Sequence, residues 1–201
     1  MTRGLELVVP ISLAKTSQSQ FYTVLKGYKS RYPGAAQAQQ QYQMAALYTR
    51  FLQSHRPHIA DAAGSDWDVI TIVPSSGDRA GPHPLETTLK LSAYLGPQYR
   101  LLLRRGTVAI AHNKSDDDGF VTTEDVHGRR VLLIDDTFTS GGRVQSAASA
   151  LARGGATVVA AVVAARIIDP DFSAEARELW ERAGEGQFSF DTCCLEDTAR
   201  F

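Results

Sequence analysis

A chain of 201 residues can bury one sizeable core, and 43% apolar with 21% charged content is the balance of a soluble globule. A formal net charge of −1 gives no general pull toward nucleic acid or an anionic membrane, and no apolar run approaches the ~20 residues of a membrane span. The first residues lack the pattern of a secretory signal and the two cysteines, Cys193 and Cys194, are adjacent, so the expectation is a reduced, cytoplasmic protein without a disulfide framework.

Leu5 to Ile11 is a short apolar segment, interrupted by Pro10, that reads as a strand or an extended arm. Phe21 to Tyr32 interleaves three cations with three tyrosines. Charge beside stacking faces suits a nucleic-acid patch, but a near-neutral chain favours the plainer reading. That reading is a short helix with snorkelling lysines, ending at Pro33-Gly34. Ala35 to Ser54 predicts a long helix with Met44, Leu47, Tyr48 and Phe51 as its buried stripe, and Pro57 as its end.

Val69 to Val73 is a β-rich run that ends in Pro74-Ser75-Ser76-Gly77-Asp78-Arg79 and continues to His83. The amides of Ser75, Ser76 and Gly77 with the Arg79 guanidinium suit a phosphate group, and an exposed turn with a solvated arginine would look the same. His83 reads as a loop residue. Leu85, Leu89 and Ala93 mark one helical face, stopped by Gly96-Pro97. Tyr99 to Leu103 and Phe120 to Thr123 look like strands on either side of a polar span, and predict a hairpin with a mobile tip. Asp116-Asp117-Asp118 is most simply a solvated part of that tip.

Val131 to Ile134 is an apolar strand that runs into Asp135-Asp136, then Thr137-Phe138-Thr139-Ser140-Gly141-Gly142-Arg143. Val144, Ala147, Ala148 and Leu151 then recur at helical spacing, and Gly154-Gly155 ends them. The free amides and positive dipole end of a helix favour an anion, and glycines let the backbone close on it. Carboxylates accept hydrogen bonds, so Asp135 and Asp136 suit sugar hydroxyls. Together these residues describe a sugar phosphate site, although a structural turn with N-capping hydroxyls uses the same residue types. Thr157 to Ala164 reads as a buried parallel strand, and Ser173 caps a helix to about Arg182. Cys193 and Cys194 lack metal-ligand spacing and lie far in sequence from every histidine, so no metal ligand is assigned.

The run from Val131 to Arg143 resembles the 5-phosphoribosyl-1-pyrophosphate (PRPP) motif of type I phosphoribosyltransferases, with Arg143 where that family usually carries a hydroxyl. Leu25 to Lys29, Val73-Pro74 and Asn113 to Val131 loosely resemble the competence protein F branch, without its cysteine zinc ribbon. The resemblance spans roughly 25–166. It implies an α/β fold: an open, mostly parallel twisted sheet flanked by helices, with a flexible hood hairpin. It implies one domain, with an N-terminal part over 1–60, an α/β core over 65–170 and a C-terminal helix and tail over 171–201. The activity implied is Mg²⁺-dependent transfer of phosphoribose from PRPP to a nitrogen nucleophile with release of pyrophosphate. The alternative is a catalytically silent PRPP- or nucleotide-binding regulator.

In that picture 137–143 hold the 5′-phosphate, Asp135 and Asp136 hold the ribose hydroxyls, and one of the pair takes a proton. Asp135, Asp136 and Arg79 are the catalytic candidates. Ser75, Ser76, Gly77 and Arg79 bind the diphosphate, joined from the hood by Arg104 and Lys114, with Arg105 and His112 as further candidates. Mg²⁺ is bound mainly through PRPP. A homodimer is expected from the resemblance, and neither membrane nor nucleic acid is expected as a partner.

Overall fold

A computed structural model describes residues 5–15, 19–32, 34–75, 81–108, 114–186 and 188–196. Four strands form one sheet: β1 (Val8–Lys15), β2 (Val69–Ile72), β5 (Arg130–Phe138) and β6 (Thr157–Ile168), in spatial order β1-β6-β5-β2. Every pairing in it is parallel. Helices α1 (Gln20–Gly27), α2 (Ala35–Ala63) and α3 (Pro84–Lys90) and helix α4 (Gly142–Arg153) supply its two cores. The architecture is thus α/β, with a mostly parallel sheet flanked by helices. A separate two-stranded antiparallel sheet joins β3 (Leu103–Arg105) to β4 (Phe120–Thr122), and α5 (Ala174–Gly184) follows β6.

The central strands have near-continuous apolar sequences because both of their faces are covered. Side chains alternate across β5. Leu132 and Ile134 join the cluster that holds Tyr28, Met44, Tyr48 and Ile70, on the α1–α2 side. Val131 and Leu133 join the cluster that holds Val144, Ala147, Leu151 and Phe120, on the α4 side. This alternation, continued two residues further, decides the geometry of the candidate site.

Several boundaries differ from expectation. Helix α2 does not end at Pro57 but runs through it to Ala63, and stops at Gly64, whose φ of 72° is left-handed. His55 and Ile59 are buried on either side of the exposed Pro57, so packing outweighs the lost backbone bond. Of the expected stripe, Met44, Tyr48 and Phe51 are buried and Leu47 is half-buried. Helix α1 stops at Gly27, well before Pro33. Helix α3 ends at Lys90, leaving Ala93 exposed. Pro10 lies within β1, which pairs only with β6, so the missing N–H is tolerated at a sheet edge.

The hairpin is present, with its first strand shifted: Leu103 pairs with Thr122, and Tyr99 only bridges Ile70. The acidic run 116–118 is not a free tip. The Asp116 N–H donates to Ser146 Oγ, Ser149 Oγ donates to Asp117, and Arg153 donates to the Asp117 carbonyl and to Asp118. These contacts moor the segment along α4. Among the described residues no helix is long and apolar enough to cross a membrane.

Candidate functional site

The parallel strands β2 and β5 run toward the same edge of the sheet: β2 ends where Ile72 pairs with Ile134 and the Val73 N–H donates to the Ile134 carbonyl, and β5 continues to Phe138. The loops that follow them therefore open on the same edge of the sheet, where ligands bind in open α/β folds. Of the β2 loop, Ser75 is described and half-buried, while Ser76, Gly77, Arg79 and their neighbours lie outside the described residues. His83 caps α3 by accepting the Leu85 N–H at 3.1 Å.

Asp135 and Asp136 are both buried, 3% and 6% exposed, yet their surroundings differ. Neighbouring residues on a strand point to opposite faces. Asp136 turns toward α1. Its Oδ2 accepts from Tyr28 Oη at 2.5 Å and Lys29 Nζ at 2.8 Å, and its Oδ1 accepts from Thr137 Oγ1 at 2.9 Å. Burial opposes its ionisation, but the Lys29 charge and these hydrogen bonds prevail, and its pKa falls below the ordinary carboxylate value. Asp135 belongs to the other alternation, on the α4 side. Burial and the Asp136 charge push it up to about 7, against a smaller opposing pull from Arg143. Its Oδ1 accepts the Asp136 N–H at 3.0 Å, and its carbonyl accepts Tyr48 Oη at 2.7 Å. The pair thus divides into one anchored carboxylate and one carboxyl poised near neutrality.

The loop after β5 closes onto the start of α4. Thr139 and Ser140 are exposed, Thr137 and Phe138 half-buried. Gly141 sits at φ 78°, and a Cβ there would meet the Phe138 ring at 2.8 Å. A Cβ on Gly142 would stand 2.5 Å from the Lys114 carbonyl oxygen, so glycine is needed where the backbone at Lys114 crosses the helix start. Among the described residues no side chain caps this N-terminus, and its first turn carries no acid. Free amides at such an end favour an anion. Arg143 reaches back to donate to the Pro74 carbonyl at 2.6 Å, tying α4 to the β2 loop. Its Nε is buried and has no partner among the described residues.

The expected site residues therefore divide. Asp135, Asp136, 137–143 and Ser75 gather at one edge of the sheet. Lys114 is exposed, and its backbone lies beside Gly142. Arg104 and Arg105 sit on β3, opposite Val121 and Phe120. His112 lies outside the described residues. Sequence reasoning missed Tyr28, Lys29 and Tyr48. A tyrosine in a buried stripe needs a partner for its hydroxyl, which was the available signal for Tyr48. Lys29 carried no such signal, since its partner lies 107 residues away.

No oxygen cage for Mg²⁺ forms at this edge among the described residues. The Asp136 oxygens are taken, and Asp117 and Asp118 are bound to α4.

At the far end of α2, the fold gathers a second group. His55, His58, Cys193 and Glu196 bring one donor atom each to within 4.8 Å of one another. The sequence separation that argued against joining cysteine and histidine is closed by the C-terminal segment folding back on α2. A cavity of about 450 Å³ lies elsewhere, between Leu5, Ala63, Ala148 and Val158 near the N-terminal ends of the strands.

No protein-family model matches the chain, and no curated protein matches it either.

Proposed function

We propose that the chain is a phosphoribosyltransferase that moves phosphoribose from PRPP to a nitrogen nucleophile and releases pyrophosphate. The observation that carries the reading is the split carboxyl pair beside an uncapped, acid-free helix N-terminus, at the C-terminal edge of a parallel sheet. A sugar phosphate needs both elements together. The amides of 141–143 and the hydroxyls of Thr139 and Ser140 hold the 5′-phosphate. Asp135, on the α4 side and poised near neutral pH, accepts ribose hydroxyls and a proton from the incoming nitrogen. Asp136 is the fixed acceptor whose charge opposes the positive charge that grows on the ribose. Ser75, Ser76, Gly77, Arg79, Arg104 and Lys114 are assigned to the diphosphate. When bound, Mg²⁺ arrives with that diphosphate and neutralises part of its charge. The hood's task is to exclude water from the reactive centre.

One observation favours a second reading. Tyr28, Lys29 and Thr137 already occupy both oxygens of Asp136, which is what a binding protein without turnover would tolerate. Calorimetric titration with PRPP, with and without Mg²⁺, followed by a pyrophosphate-release assay separates the two. The expected result is saturable binding with release stimulated by an acceptor. Binding without release moves the assignment to a PRPP-binding regulator, and no binding removes both. The double variant Asp135→Asn, Asp136→Asn should remain folded by circular dichroism and lose turnover at least ~100-fold, the usual worth of a positioned acid or base.

A further inference from the structure

His55 and His58 stand one helical turn apart on α2, so their rings project from the same face. Cys193 and Glu196 have the same spacing in a tight turn, in which the Glu196 N–H donates to the Cys193 carbonyl at 3.0 Å. The two pairs face each other. His55 Nδ1 lies 3.3 Å from His58 Nδ1 and 3.5 Å from Glu196 Oε2, and His58 Nδ1 lies 3.2 Å from the same oxygen.

The hydrogen bonds around the group settle which atoms face inward. His55 Nε2 lies 2.9 Å from the Phe190 carbonyl. A carbonyl only accepts, so Nε2 carries the proton and the Nδ1 of the neutral ring is left with a bare lone pair. That lone pair points at a second imidazole nitrogen and a carboxylate oxygen. The Cys193 N–H donates to that same Glu196 Oε2 at 3.0 Å and holds it against the imidazoles. A backbone carbonyl on the outer nitrogen of a histidine, and a backbone amide on a carboxylate, are the outer-shell contacts of metal ligands. His55 and Cys193 are 1% and 3% exposed, while Glu196 is at the surface, so the group has a buried base and an open side for entry.

We infer that His55, His58, Cys193 and Glu196 form a binding site for a zinc-class divalent cation. Bonds of ~2.0–2.3 Å to a tetrahedral ion place its donors ~3.3–3.8 Å apart, close to the 3.2–3.5 Å among the two histidine nitrogens and Glu196 Oε2, with Cys193 Sγ within 4.8 Å of all three. Two neutral imidazoles, a thiolate and a carboxylate balance a 2+ charge, which a half-buried position requires. The donor set is mixed nitrogen, sulfur and oxygen, which selects zinc or cobalt over magnesium or calcium. Four protein ligands leave no position for a substrate, so the site is structural: it staples the C-terminal segment to α2. It does not depend on the phosphoribosyl reading. Cys194, half-buried beside it, is not a ligand.

The test uses the full chain, purified without chelator, then stripped and reloaded with zinc or cobalt(II). The expected results are one equivalent of zinc by mass spectrometry and a thiolate-to-cobalt charge-transfer band. Cys193→Ser abolishes that band and Cys194→Ser keeps it. His58→Ala, at a half-exposed position chosen because it should leave the fold intact, removes a direct ligand and weakens metal binding by more than the ~10–100-fold that an outer-shell contact is worth. Chelation of the wild type lowers Tm, and chelation of His58→Ala lowers it less. A stripped, folded chain that takes up no stoichiometric cobalt overturns the proposal. A cobalt band that survives Cys193→Ser overturns it as well.

Discussion

Two adjacent carboxyl groups at the end of a buried strand cannot share one environment, because the pleat sends them to opposite sides. Asp136 meets Tyr28 and Lys29, and Asp135 stands on the α4 side near Arg143. Each therefore affects stability in its own pH window. The unfolded chain releases the Asp135 proton near 3.8, while the folded chain holds it up to about 7. Between those values the native state binds more protons, so this residue lowers stability as pH rises. Asp136 works below that window: its stabilisation is complete above its unfolded value and is lost as pH falls through its lower folded one. The variant Asp135→Asn removes the first effect only. Urea unfolding should show the variant gaining on the wild type from about pH 4 to about pH 7, with no further gain above. A constant difference across that range would mean that Asp135 is ionised throughout.

At the scale of elements, α2 shows where a local rule yields to packing. Proline reads as a helix stop because it lacks an N–H and crowds the preceding turn. In α2 the apolar face continues beyond it with Ile59, fully buried, and the helix ends only where Gly64 adopts a left-handed conformation. The local cost remains, since nothing in packing restores the missing bond. Pro57→Ala should therefore stabilise the protein by about 1–3 kcal/mol in chemical denaturation, as expected for an exposed helix interior. A loss of stability would mean that the contacts of the Pro57 ring outweigh its missing N–H. The hairpin behaves similarly. Two strands were legible from their apolar runs, but the pairing register, Leu103 with Thr122, was not, because nothing local fixes it across so long a span. Nor did the acidic run announce its attachment, since Ser146, Ser149 and Arg153 lie some 30 residues further on, on α4.

For the molecule as a whole, α2 joins the two sites. Tyr48 donates to the Asp135 carbonyl, and His55, two turns on, reaches the Phe190 carbonyl of the C-terminal segment. Ligands at either end stabilise the folded chain by mass action, in proportion to their own occupancy. Under the phosphoribosyl reading, Mg²⁺-PRPP at a hundred times its Kd should add ~2.7 kcal/mol to unfolding. Differential scanning fluorimetry should show this as a rise in Tm that Asp135→Asn, Asp136→Asn no longer gives. An equal rise in wild type and double variant would place the ligand somewhere other than at this carboxyl pair.

The residues by themselves determined the parts with local causes. The apolar run of β5, the acidic pair that follows it, the small-residue loop and the amphipathic α4 follow one another in sequence, so their order and their chemistry could be read directly. Only the tertiary structure decided what meets across the chain: Lys29 on Asp136, Arg143 on Pro74, the Lys114 backbone at Gly142, and the histidines of α2 on Cys193 and Glu196. The reason is physical. Backbone propensity and hydrophobic period are properties of a few consecutive residues, whereas an ion pair or a ligand cluster is set by how elements pack. The spacing along the chain carries no record of that packing.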